Sequence, residues 1–197
     1  MPPPTLAPPG AGLPLPKLLL AKHLLRPLYA RAHPIPSIPS LLKQQCDFFC
    51  NDFAALARTY PSHLTQRVLI PPTLGLEDNS RFYSLAMVLH HLLLVNTRLI
   101  EIFTALSTST PLPQGPSTIT DFKPDPNITP DVAPRYHDTT HQLAGTISAI
   151  PRAALSSRAT IPHPWFGPLT LPQWIPFSAL HQQVHTRQWR RIRARLD

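Results

Sequence analysis

The sequence predicts an all-α fold, a bundle of four helices joined by long proline-rich loops. Four segments repeat apolar residues every three or four positions, the spacing that gathers them on one face of a helix. The 27 prolines among 197 residues crowd into the first forty positions and the stretches between those segments, where they disfavour sheet and end helices. No segment shows the strict apolar–polar alternation of a strand.

The length suits one domain with a tail, and 43% hydrophobic residues suffice for a core. Residues 1–35 read as a Pro-rich extension, extended or disordered over 1–16. Within it, "KLLLAKHLLRPLYARAH" is expected to form a short amphipathic helix interrupted near Pro27. Residues 36–197 form the helical domain. No apolar run reaches the roughly 18 residues of a membrane-spanning helix. The first residues also lack the ordered regions of a secretory signal. The expectation is a cytoplasmic protein with no membrane partner.

The first long helix is expected over about Pro39–Tyr60, where Leu42, Cys46, Phe49, Phe53 and Leu56 recur on one face. The second runs from about Ser80 to Leu106 and is apolar on nearly every side, so it should pack against several neighbours at once. The third, from about Arg135 to Leu155, is weaker and should kink or end at Pro151. The fourth begins at "TLPQ". There Thr170 and Gln173 have capping-box spacing and Pro172 sits in a tolerant first turn. It should reach about Arg193, bent where Pro176 removes a backbone donor.

Cys46 and Cys50 share a helix face but lack the C-x-x-C redox spacing; two small core thiols are the simpler reading. The formal charge of +8 is densest in "RQWRRIRARLD". Cations at a helix C-terminus suit its dipole, and no series of stacking aromatics accompanies them. A nucleic-acid partner is therefore disfavoured against solvated arginines.

The chemistry-bearing residues are histidines. On the fourth helix Trp174, Ser178, His181, His185 and Gln188 advance by four and three and form one inward stripe. Imidazoles at i and i+4 stand about 5–6 Å apart, close enough to grip one ion between them. His137 and His141 have the same spacing, but their weak, polar helix start suggests the rim. On the second helix His91 shares a stripe with Val88, Val95, Leu99 and Ile102 and points inward, whereas His90 lies on a mixed face.

The segment "YSLAMVLHHLLLVN" resembles the helix-two signature of the DinB/YfiT-like superfamily, with Ser84, Ala86, Leu89, His91 and Leu92 in its pattern positions. The segment "HPWFGPLTLPQWIPFSALHQQVHTRQ" resembles the family's last-helix region. His163, Pro164, Trp165, Phe166, Gly167, Leu169 and Thr170 match the lead-in, and His181 and His185 match the ligand pair. The likeness spans about residues 39–193. It implies a DinB/YfiT-type four-helix bundle in which His91, His181 and His185 hold one divalent metal ion, Zn or Ni. His90 stands where relatives often carry an acidic residue.

Three imidazoles leave such an ion an open position, the mark of a catalytic rather than a structural site. The resemblance implies a hydrolase or a thiol S-transferase acting on a small-molecule or thiol substrate, and a homodimer is compatible with it. Asp47, Asp52 and Glu101 are candidates to orient the ligand imidazoles. The alternatives are a non-catalytic scaffold bundle stabilised by metal and a nucleic-acid binder working through residues 187–197.

Overall fold

The computed structural model of the chain describes residues 26–115 and 117–196, together with residues 6, 19, 20, 23 and 24. The extended or disordered stretch expected over 1–16 therefore lies, apart from residue 6, outside the described residues. What is described is mostly helical, with little sheet.

Helix α1 spans Arg26–Ala32. Pro27 lies in its first turn, where the missing N–H has no intrahelical partner to lose, and the described residues 19, 20, 23 and 24 ahead of it are also helical; the rest of that expected amphipathic stretch lies outside the described residues. The long helices are α2 (Ile38–Thr59), α3 (Leu85–Thr108), α4 (Val132–Ser148) and α5 (Leu171–Leu196). Helix α4 packs against both α2 and α3, and α5 closes the group by touching the same two.

Two starts differ from expectation. Helix α3 begins at Leu85, not near Ser80, because the chain first makes a 3-10 turn at Asp78–Arg81 and a short strand at Phe82–Tyr83. Ser84 then caps the helix, its Oγ accepting the Met87 N–H at 3.2 Å. Helix α4 starts at Val132 with Pro134 inside its first turn, and it ends at Ser148, ahead of Pro151.

Two small antiparallel sheets were not expected. Strand β1 (Val68–Leu69) pairs with β2 (Phe82–Tyr83), and β3 (Thr160–His163) pairs with β4 (Gly167–Thr170). The second hairpin sets Pro162 opposite Pro168. Opposed positions alternate between exchanging amide bonds and not, so two prolines face each other where neither N–H is needed. Pro164, Trp165 and Phe166 form the three-residue loop, closed by Gly167 at φ +72°, the left-handed glycine such loops use.

The core sits between the four long helices. Helix α2 supplies Leu42, Phe49, Phe53 and Leu56, and α3 is buried through most of its length. Against the sequence reading, α3 is long and apolar enough to cross a membrane, with a mean hydropathy of 1.4 over its most apolar window, but 67% of that window is buried inside the fold. Its apolar surface is spent on neighbouring helices.

Trp189 on α5 is fully buried, its ring edge-on to Phe49 at 5.1 Å and its Nε1–H donated to Asp52 at 2.7 Å. Trp189→Ala is expected to cost about 3–5 kcal/mol of stability, since a buried ring leaves a cavity that does not fully collapse. Trp189→Phe should cost well under half as much. Equal losses in urea unfolding would show that the bond to Asp52, not the packed ring, carries the contribution.

Candidate metal centre

His91 lies on α3 two turns beyond the Ser84 cap. Neighbouring positions on a helix diverge by about 100°, and the two adjacent histidines part accordingly. His90 turns outward, its Nδ1 accepting the Asp125 N–H at 3.0 Å, while His91 turns toward α5. His181 and His185 stand one turn apart on α5. That helix is set in register by the β3–β4 hairpin and by half of the expected capping box, in which Gln173 Oε1 accepts the Thr170 N–H at 3.0 Å. Gly75 also presses against this helix. It has φ +84°, and a Cβ there would come within 3.0 Å of a Val184 methyl.

The three side chains meet. His91 Nε2 is 3.3 Å from His181 Nε2, which is 3.2 Å from His185 Nε2. One potential ligand atom from each residue lies within 4.8 Å of the others, the only such group of three His, Cys, Asp or Glu among the described residues. His185 is 3% exposed, and His91 and His181 are half-buried. All three line a cavity of about 570 Å³.

Hydrogen bonds fix the tautomers of two of them. His91 Nδ1 lies 2.7 Å from the Phe122 carbonyl oxygen, which can only accept, so Nδ1 carries the proton. Gln188 donates its Nε2 to the Ser80 carbonyl at 2.6 Å. Its Oε1 is thereby turned toward His185 Nδ1, 2.6 Å away, and accepts that proton. Both Nε2 atoms are left as lone pairs aimed at His181.

His181 cannot satisfy them. One proton on its Nε2 serves one neighbour, not two, and its buried Nδ1 has no partner in either tautomer. Three nitrogen lone pairs converging on one point is the situation a cation resolves. The two spacings to His181 agree, since zinc–imidazole bonds of about 2.0–2.1 Å in a tetrahedral arrangement put neighbouring nitrogens about 3.3–3.4 Å apart, and the third pair lies within 4.8 Å. The residues present therefore fit a divalent ion held by three imidazoles.

The surroundings keep these rings neutral, the form that ligates. Burial pushes His91 down to about 4; the Phe122 carbonyl opposes this and Lys123 adds to it. Burial, then the neighbouring histidines, holds His181 well below its ordinary value. His185 is lowered in the same way, first by burial and then by His91.

Other sequence candidates fall elsewhere. The rings of His137 and His141 are 4.3 Å apart, but His137 is half-exposed and bonds Asp138 at 3.0 Å. The Cys46 and Cys50 sulfurs are 3.9 Å apart, and the bond to Cys50 together with burial pushes the Cys46 thiol up. None of the three acidic candidates bonds an imidazole of the triad. Glu101 pairs with Arg98 at 2.5 Å, Asp52 accepts from Trp189 and pairs with Arg193 at 3.1 Å, and Asp47 is exposed. A loop carbonyl and a glutamine do that work.

The arginine tail is not simply solvated. Arg191 bonds the Pro72 carbonyl at 2.9 Å and Thr73 Oγ1 at 2.6 Å, and Arg190 lies over the Phe48 ring.

The chain matches no family model, no curated protein and no solved structure. Its likeness to DinB/YfiT-like proteins therefore rests on the motif residues themselves.

An imidazole that stays neutral in the fold but takes a proton near 6.5 once unfolded draws the equilibrium toward the unfolded chain as acid is added. Stability from His91 is thus complete above about pH 6.5 and lost as the pH falls through about 4. Metal-free protein should show a urea midpoint that declines steadily across that window. A flat midpoint would contradict a buried neutral triad.

Proposed function

We propose that this chain is a metal-dependent enzyme of the DinB/YfiT-like four-helix type, with one divalent ion, zinc or nickel, held by His91, His181 and His185. One observation carries the proposal: two imidazoles locked with their protons on Nδ1 present bare Nε2 atoms to a third that cannot satisfy both. Catalysis is favoured over a purely structural ion because His91 and His181 face a cavity of about 570 Å³, within the usual range of small-molecule sites. A structural zinc site is instead closed by a fourth protein ligand.

When bound, such an ion supplies Lewis acidity and lowers the pKa of a water or thiol placed beside it. The chain's own residues do the rest. Phe122 and Gln188 hold the Nδ1 protons of His91 and His185, keeping each Nε2 basic and correctly aimed. Lys123, paired with Glu77 and Asn79 beside the triad, disfavours protonation of His91 and His185. The cavity wall beside the triad is mainly apolar. Hydrolysis and thiol S-transfer both fit this arrangement, and the substrate is a small molecule or thiol that enters the cavity.

Purified protein should carry about one equivalent of zinc or nickel, and His181→Ala should lose it; equal metal content in the two proteins would overturn the proposal. Gln188→Leu should weaken metal affinity about 10–100-fold, the usual loss when a partner of a ligating histidine is removed. Unchanged affinity in that variant would show that the glutamine plays no part in presenting His185.

A further inference from the structure

The cavity beside the triad selects by chemistry, and a fourth histidine in its wall contributes to the selection. The wall is mainly apolar and aromatic, built from residues such as Val95, Leu99, Ile102, Trp165, Trp174 and Phe177. Four charged side chains of the described residues reach it: Glu77, Arg98, Lys123 and Arg187. The first three are already neutralised within the fold. Lys123 bonds Glu77 and Asn79, while Arg98 pairs with Glu101 and donates to the Gly115 carbonyl. Arg187 is exposed at the outer side. Away from Arg187 at the mouth and Arg26 near His163, a charged ligand would find no uncommitted counter-charge in the wall, so burying it there is a costly transfer.

His163 is different. It ends strand β3, and the hairpin loop folds back so that the backbone N–H groups of Trp165 and Phe166 both donate to its Nδ1, at 3.0 and 3.3 Å. That nitrogen is committed as an acceptor, so the proton resides on Nε2, and no described residue takes it. The ring is clamped against Phe166, Phe177 and Trp174, with centroids 4.6, 4.7 and 5.2 Å away, and it lines the same cavity as the triad. Phe177 in turn contacts His181, with ring centroids 5.8 Å apart.

We propose that His163 is a substrate-binding residue, a rigid N–H donor in an otherwise greasy wall. We further propose that the cavity takes an uncharged, largely aromatic or aliphatic molecule bearing a carbonyl-type oxygen. The inference rests on the cavity being the site that the histidine triad serves. Burial pushes His163 down to about 3, so the donor stays a neutral imidazole at any working pH. The hairpin sequence "HPWFG" thus has a use beyond leading into α5: its backbone sets the tautomer of its own first residue.

The test uses three matched probes on metal-free full-length protein, with affinities read by ligand-observed NMR. Acetophenone has the acceptor oxygen, ethylbenzene lacks it, and 4-acetylbenzoate adds a negative charge. Acetophenone should bind about three- to tenfold tighter than ethylbenzene, the worth of one net hydrogen bond, and 4-acetylbenzoate should bind weakest. His163→Phe keeps an aromatic ring in the clamp and should bring acetophenone down to the ethylbenzene level while leaving ethylbenzene unchanged. Equal affinities of acetophenone and ethylbenzene in the unsubstituted protein would overturn the inference. So would equal losses of both probes in the variant, or preference for the carboxylate. Because no ion is present, these outcomes are independent of metal analysis: loss of metal binding with the probe order intact contradicts the metal proposal alone.

Discussion

A single glutamine holds the buried histidine cluster of this molecule in place. Gln188 gives its amide N–H to the Ser80 carbonyl and so has only an oxygen to offer His185. That oxygen decides where the imidazole proton sits, and therefore which nitrogen is bare. A buried amide whose two ends are both committed cannot flip without leaving polar atoms unpaired, at a cost of about 1–3 kcal/mol each. The orientation of His185 is thus tied to a turn more than a hundred residues earlier in the chain. On the other wall the Phe122 carbonyl does the same for His91, from a 3-10 turn at Ile119–Phe122.

The bundle around these contacts serves them in two ways. Its apolar density lowers the proton affinity of every imidazole it encloses, so His91, His181, His185 and His163 all remain neutral. It also stops short of closing over the triad. The space bounded by α3, α5 and the β3–β4 hairpin stays open as a cavity, with the triad and His163 in its wall. The loops, not the helices, supply the two controls on tautomers that lie outside α5: Phe122 for His91, and the Trp165–Phe166 backbone for His163.

What was legible in the sequence followed from periodicity. A strict three-and-four spacing put His181, His185 and Gln188 on one stripe, and the apolar stripe through His91 separated it from His90. Both arrangements depend only on helix geometry, which holds along the whole of α3 and α5. The supporting atoms were harder to read. A backbone carbonyl at Phe122 has no side-chain signature, and acidic residues drew attention that belonged to a glutamine already on the stripe. The β3–β4 hairpin was concealed by Pro162 and Pro168, which argue against a strand until they are seen facing each other where no amide is required. Its visible cue was the glycine closing "HPWFG", a three-residue hairpin loop. The arginines of the last turns looked like a solvated helix end because their acceptors, the Pro71–Thr73 loop and Asp52, are distant in sequence.

Nitrogen-15 NMR of the histidine side chains in the metal-free protein at neutral pH addresses the proton positions directly. The expected spectrum shows His91 and His185 each protonated on Nδ1, with Nε2 carrying the shift of a bare pyridine-type nitrogen. A proton on Nε2 of either ring would mean that the lone pairs do not converge, and the case for a cation between them would fall with it.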